Sequence, residues 1–176
     1  GESENRESKL ETTLLQGICR GSRMDLVIQK ATELGVTAIQ PLVTERVVVR
    51  LDDKRRAKRI EHWQRIAIAA SEQSGRAVVP EIRDPLTLAT AFQIIDSAAT
   101  RLLLDPRGQA KIADSLSDAA SVAILIGPEG GLTEAEQQTA AAAGFVGIRL
   151  GPRVLRTETA PLAALTIVQY LRGDLG

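Results

Sequence analysis

The chain has 176 residues, with 22 Lys and Arg balanced by 22 Asp and Glu, so its formal net charge at neutral pH is zero. That length suffices for one domain with a full hydrophobic core, and the balanced charge gives no global attraction to nucleic acid. A single cysteine, Cys19, excludes an internal disulfide framework and any cysteine-based zinc site, which points to a cytoplasmic setting; no apolar run reaches the ~18 residues of a membrane span, no signal peptide is visible, and no metal is expected.

In chain order, residues 1–12 are polar and aperiodic and read as a linker, leaving 13–176 as the domain. Residues 13–19 read as a strand. A helix follows over 23–34, where Leu26, Val27, Lys30, Ala31 and Leu34 recur at helical spacing and Gly35 occupies the C′ position. Residues 36–43 are strand-like. The longest helix spans 53–74, with Ile60, Trp63, Ala67, Ala70 and Ser74 on one face and Arg55, Arg59 and Arg65 elsewhere. A short strand over 77–82 contains Pro80, which suits a sheet edge.

Residues 86–95 read as a helix, 101–104 as an apolar strand ending at Asp105-Pro106, and 112–116 as a short helix. Residues 121–126 form a continuous apolar run of the kind buried on both faces. Thr133 caps the next helix, Glu136 completes a capping box, and Gly144 ends it. The last strand covers 145–150. The final helix begins at Thr159, tolerates Pro161 in its first turn and ends at Gly173. Its Leu162, Leu165, Val168, Gln169 and Leu171 form a surface for a partner subunit or for the core. Strands alternating with helices predict an α/β fold, a mostly parallel sheet with helices on both faces.

Charge is unevenly placed. Between Thr44 and Arg65 stand eight basic residues (Arg46, Arg50, Lys54, Arg55, Arg56, Lys58, Arg59, Arg65) against four acids (Glu45, Asp52, Asp53, Glu61). Such a patch steers a polyanion, and a solvated helix face is the competing reading. The only aromatics are Trp63, Phe92, Phe145 and Tyr170, too few for a base-stacking platform.

Two glycine-bearing turns are the most informative segments. The first runs Ile126-Gly127-Pro128-Glu129-Gly130-Gly131-Leu132-Thr133; the second runs Leu150-Gly151-Pro152-Arg153-Val154-Leu155-Arg156-Thr157-Glu158-Thr159-Ala160. Each leaves an apolar strand and enters a helix, so the two can wall one small-molecule pocket. Neither contains the Gly-Lys-Ser/Thr of a P-loop nor G-x-G-x-x-G. The first has no lysine and holds a carboxylate, Glu129, which favours a neutral or cationic ligand over a triphosphate.

Together these turns resemble the C-terminal signature of the RsmE-type enzymes, SPOUT-class methyltransferases that act on N3 of a uridine in 16S ribosomal RNA. Gln29-Lys30-Ala31-Thr32-Glu33-Leu34-Gly35-Val36 matches the family's early helix motif, and Trp63, Ala70-Ser71-Glu72-Gln73-Ser74-Gly75-Arg76 and Pro80 match the middle one. The resemblance covers 13–173. It implies a SPOUT fold with a deep C-terminal trefoil knot, a homodimer, and S-adenosylmethionine bound in the knotted loops. Family members also carry a small N-terminal β-rich RNA-binding domain; this sequence enters the catalytic domain almost at once, so lower RNA affinity is expected of this chain alone.

By residue-wise carry-over, Leu104, Ile126 and the Gly127, Pro128, Glu129, Gly130, Gly131 turn would hold the cofactor on one side. Leu150, Gly151, Leu155, Arg156, Thr157 and Thr159 would hold it on the other. Methylating a uracil nitrogen requires a base for N3–H and a cation for the resulting imide anion. Glu72, Glu129 and Glu158 are the base candidates; Arg76 and Arg156 are the cation candidates, with Arg156 favoured because its turn borders the cofactor. Glu72 and Arg76 read as substrate-side residues, or as an i,i+4 ion pair at a helix end. Lys30, Arg55, Arg59 and Arg153 are the expected RNA contacts, the 16S rRNA of the small subunit being the partner. His62 reads as a surface histidine. The competing functions are a ribose 2′-O-methyltransferase of the same class and a non-catalytic RNA-binding assembly module.

Overall fold

Successive side chains of a strand point to opposite faces of a sheet, and in this chain both faces of the central strands are apolar. Leu14, Leu102 and Ile124 face one hydrophobic layer, while their neighbours Leu15, Leu103 and Leu125 face the other. The computed structural model describes residues 4–47, 52–116, 118 and 120–176. It contains strands β1 (Glu11–Gly17), β2 (Ala38–Leu42), β3 (Glu81–Ile82), β4 (Thr100–Leu104), β5 (Ser121–Ile126) and β6 (Val146–Ile148). The helices are α1 (Ser22–Glu33), α2 (Asp53–Ser74), α3 (Leu88–Gln93), α4 (Ile112–Ser115), α5 (Glu134–Ala142) and α6 (Ala160–Arg172).

The six strands form one sheet in the order β3-β2-β1-β5-β4-β6, and every pairing is parallel. Because parallel strands need crossovers, helices cover both faces. Buried residues of α1, α2, α4 and α6 join the larger core around Trp63, Met24 and Leu165. Leu88, Ala91 and Phe92 of α3 and Ala140 of α5 join the smaller core, where Phe92 packs on Phe145 with ring centroids 4.8 Å apart. Truncating a fully buried leucine such as Leu14 or Leu125 to alanine costs about 2–5 kcal/mol at sites of this kind.

The expected α/β fold with a parallel sheet is the observed one, and α2 and β5 have the expected limits. Asp52 caps α2 by accepting from the Arg55 N–H at 2.9 Å, and Gly75 ends it in the left-handed region. Thr133 and Glu136 form the full capping box of α5. Gly35, at φ 83°, follows α1 as C′. Several expected elements are shorter, strand 36–43 contracting to β2 and helix 112–116 to α4. Strand 77–82 contracts to β3, at the sheet edge as expected, because Pro80 lacks the N–H a longer ladder needs. Helix 86–95 contracts to α3, and strand 145–150 to β6. Among the described residues no helix is long and apolar enough to cross a membrane. Of the α6 residues singled out for a surface, Leu165, Val168 and Gln169 are fully buried in this chain's own core, whereas Leu171 is exposed.

The polar segment 1–12 is the main departure. β1 starts at Glu11, because Glu11 and Thr12 pair with Ser121 and Val122 of β5. Leu10 is buried, and Ser8 donates to Gln169 Oε1 at 2.8 Å, while Gln169 donates to the Leu34 carbonyl at 3.0 Å. Glu7 meets Arg76 at 2.8 Å, and the Arg76 guanidinium also donates to the carbonyls of Thr32 (2.9 Å) and Val36 (3.0 Å). One arginine thus ties the tail, the end of α1 and the end of α2 together.

The hydrogen bond from Arg76 holds the Glu7 carboxyl below its ordinary range, against the upward push of burial. A carboxylate depressed in the folded state stabilises the fold above its unfolded pKa, and that contribution is lost as pH falls through the folded value. Glu7→Gln should therefore cost about 1–2 kcal/mol near neutral pH. In urea melts, the gap from the parent should close below about pH 4; a gap independent of pH would rule out the linkage.

Candidate functional site

The strand order reverses direction between β1 and β5, and open parallel sheets bind ligands outside the carboxyl ends of their strands at such a point. A cavity of about 650 Å³ lies beside that point, on the β5 side, against the ends of β4, β5 and β6 and the turns that follow them. Its walls are apolar at Leu104, Ile126, Leu132, Ile148, Leu150 and Leu155. Volume and lining suit a nucleoside-sized molecule.

The first turn reaches the cavity because β1 ends in a glycine. A Cβ on Gly17 would stand 2.6 Å from the Pro128 nitrogen, so no larger residue fits beneath this turn without displacing it. Gly131, at φ 75°, donates to the Pro128 carbonyl at 2.8 Å and closes the turn before α5. The turn is anchored from two sides. Arg46 donates to the Gly130 carbonyl at 3.0 Å, and the Glu129 carboxylate accepts the Arg20 N–H at 2.6 Å just before α1. Arg23, in the first turn of α1, adds a 3.2 Å contact to the same oxygen and lies 4.0 Å from Glu158.

The second turn is fastened to the first by one buried hydroxyl. Thr157 Oγ1 donates to the Gly127 carbonyl at 2.7 Å and accepts from Gln16 Nε2 of β1 at 3.0 Å. Both Gln16 and Thr157 are buried. The strand β1, the turn after β5 and the turn before α6 therefore converge on a single oxygen atom.

Charges at the cavity divide into committed and free. Burial pushes the Glu129 carboxyl up, but the N–H groups of Arg20 and of Glu129 itself, together with Arg23, outweigh it and hold the group below its ordinary range. Arg107 pairs with Asp105 at 3.6 Å and hydrogen-bonds Gln137, and Arg149 donates to the Gly151 carbonyl at 3.1 Å. Arg153 and Arg156 are exposed, and their guanidiniums have no acceptor among the described residues. The backbone N–H groups of Leu150 and Leu155 likewise have no acceptor among the described residues. Below the site, burial pushes the Cys19 thiol up to about 12, with Glu129 adding to the effect, so it stays protonated and unreactive at neutral pH.

Most of the residues singled out from the sequence line this cavity: Leu104, Ile126, Gly127, Pro128, Glu129, Gly131, Leu150, Gly151, Arg153, Leu155, Arg156, Thr157 and Glu158. Gly130 and Thr159 do not; Gly130 turns its carbonyl to Arg46, and Thr159 is the N-cap of α6. Glu72 and Arg76 lie outside it. Arg76 is occupied by Glu7, Thr32 and Val36, and Glu72 is exposed on α2 without the expected ion pair to Arg76. Lys30 pairs with Glu33 at 2.9 Å, and Arg55 lies 3.8 Å from Asp52 on the surface. Arg59 is partly exposed on α2, and His62 faces Asp25 at 2.9 Å on the surface; Arg50 lies outside the described residues.

Arg23, Asp105, Arg107 and Gln137 line the cavity without having been singled out. Asp105-Pro106 had a signal, since it ends a strand of a parallel sheet, where sites form. Arg23 had none, because its approach depends on where α1 docks.

Residues 6–169 match the RNA methyltransferase domain family. The chain is 39% identical over 184 residues to ribosomal RNA small subunit methyltransferase E of Bacillus subtilis, an alignment covering 98% of this chain and 72% of that protein. Among solved structures it is similar to a ribosomal RNA small subunit methyltransferase E from Neisseria gonorrhoeae bound to S-adenosyl methionine. There the TM-score is 0.95 at 46% identity, over 99% of this chain and 72% of the other. A putative methyltransferase from Legionella pneumophila in complex with the same cofactor gives 0.93 at 43% identity, over 97% and 70%.

Thr157→Val keeps the shape of the side chain and removes the shared oxygen. It leaves the Gly127 carbonyl and the Gln16 amide short of a partner, at a cost of about 1–3 kcal/mol. Hydrogen exchange should accelerate in residues 127–131 and 155–159 and stay unchanged in the central strands. Unchanged exchange in both turns would mean that the hydroxyl does not hold them.

Proposed function

This chain belongs to the RNA methyltransferase domain family, and from that premise we propose that it methylates N3 of a uridine in the 16S rRNA of the small ribosomal subunit, using S-adenosylmethionine. The observation that carries this reading is the fastening of two glycine-bearing turns around one cavity by Thr157.

The cavity's residues fit the cofactor. Its apolar walls suit an adenine, and the N–H groups of Leu150 and Leu155, without an acceptor among the described residues, suit the ring's acceptors. Carboxylates at Asp105, Glu129 and Glu158 suit a ribose and a sulfonium, and Arg23, Arg107 and Arg149 of the same lining are already engaged by protein acceptors. When bound, the cofactor supplies an electrophilic methyl group.

The chain must then align the uracil and manage one proton. Arg153 and Arg156, free of acid partners and on the turn bordering the cavity, receive the phosphate and the developing imide anion. Among the three base candidates, Glu129 is committed to Arg20 and Arg23 and is weakened as a base by its lowered pKa. Glu72 is exposed outside the cavity, which leaves Glu158, in the wall, to take the N3 proton.

The basic face of α2, with Arg55 and Arg59, extends the RNA surface, and Lys30 stays with Glu33 until RNA competes for it. A homodimer completes the site, with Tyr170, Leu171 and Leu175, exposed at the end of α6, as apolar surface for a second copy. The return of the chain from edge strand β6 to a helix packed on β5 and α1 is compatible with the threaded C-terminus of the family. A ribosomal substrate agrees with a cytoplasmic setting.

The test is methylation of isolated small subunits and of naked 16S RNA with labelled cofactor, followed by nucleoside analysis. 3-Methyluridine is expected; a ribose-methylated product, or none from either substrate, would overturn the reading. Arg156→Ala should lower kcat by roughly 100-fold or more with an unchanged melting temperature. Full activity in that variant would remove Arg156 from the mechanism.

A further inference from the structure

Gln16 belongs to none of the sequence motifs and does not line the cavity, yet it touches the atom on which the two turns depend. Its side chain is fully buried at the end of β1, beside Gly17. The amide nitrogen donates to two oxygens, the Gly17 carbonyl and Thr157 Oγ1, each at 3.0 Å. The amide oxygen is buried with no partner among the described residues.

The orientation of this amide follows from its neighbours. The Gly17 carbonyl can only accept, so the NH₂ end must face it, and the same end then meets Thr157. A threonine hydroxyl has one proton. The Gly127 carbonyl can only accept, so that proton goes to it at 2.7 Å, and Gln16 fills a lone pair of the same oxygen. Leaving the Gln16 oxygen unsatisfied in the interior is unfavourable, and natural structures keep such groups where a specific arrangement depends on them.

We propose that Gln16 is a positioning residue for methyl transfer: by donating to Thr157 it holds in place the hydroxyl that locks the two cofactor-binding turns together. The proposal rests on the reading of the cavity as the S-adenosylmethionine site. It assigns Gln16 no contact with cofactor or RNA. What matters is the donor character of the side chain, beyond its bulk. A carboxylate in the same shape would compete for the Thr157 proton and repel the carbonyls of Gly17 and Gly127; an apolar side chain of similar length would only withdraw the donor.

The experiment is calorimetric titration of S-adenosylmethionine into the parent chain, Gln16→Glu, Gln16→Met, Thr157→Val and the two double variants, with circular dichroism to check folding. The parent should bind; absence of binding there overturns the reading of the site. Given binding by the parent, Gln16→Glu should weaken it by roughly 10- to 100-fold and Gln16→Met by only a few-fold. In the Thr157→Val background Gln16→Met should lose most of its effect, because the hydroxyl it acts through is gone, while Gln16→Glu keeps only the part that comes from repelling the carbonyls. Equal losses from the two substitutions, or the same loss with and without the hydroxyl, would make Gln16 a packing residue and overturn the proposal. Should Gln16→Glu fail to fold, Gln16→Met with and without Thr157→Val gives the same decisive comparison. A kinetic readout accompanies it: KM for the cofactor should rise in Gln16→Met, with kcat within a few-fold of the parent.

Discussion

One oxygen atom organises the working end of this molecule. Thr157 Oγ1 joins the turn after β5 to the turn before α6, and the partner on its other side belongs to β1, the strand next to β5 at the middle of the sheet. The two turns are separated in sequence by α5 and β6, and each by itself is an ordinary strand-to-helix connection. What makes them a site is that their separation is fixed by hydrogen-bond geometry, which tolerates a few tenths of an ångström, rather than by apolar contact, which tolerates more. Gly17 contributes from below: its missing side chain is the space that Pro128 occupies.

Around that junction the charges are arranged so that the interior of the cavity is nearly neutral and its mouth is basic. Arg23 stands between Glu129 and Glu158 and offsets one of their two charges, and Asp105 faces Arg107. Arg153 and Arg156 are left over, both on the exposed second turn. A chain of zero net charge thus still offers a polyanion a local target, with a longer basic face on α2. This division resolves the apparent conflict between a neutral composition and an RNA substrate, because association responds to the local field rather than to the total.

Much of this was legible in the sequence because it is governed by local rules. The apolar run of β5, the Thr133–Glu136 capping box and the Asp53–Ser74 helix follow from periodicity and capping, and they stand where those rules put them. The two turns were legible because glycine and the family signature mark them. Arg76 misled for a physical reason: next to Glu72 at a helix end it looks like a surface cation, but its guanidinium is buried by a tail that looked like linker. Arg23 and Gln16 were invisible because their roles arise from docking α1 and β1 against segments more than a hundred residues away.

The distribution of stability follows the same division between local and long-range contacts. The central strands are held by two apolar layers and a parallel ladder, so they open last. The turns that wall the cavity depend on a few polar bonds, among them the 2.7 Å contact of Thr157 to the Gly127 carbonyl and the 2.6 Å contact of the Arg20 N–H to Glu129. A site that must admit and release a nucleoside-sized ligand benefits from walls that loosen separately from the core. Anchoring those walls to β1 and α1, the first elements of the domain, means that they loosen without drifting: each returns to a partner that the core keeps in place.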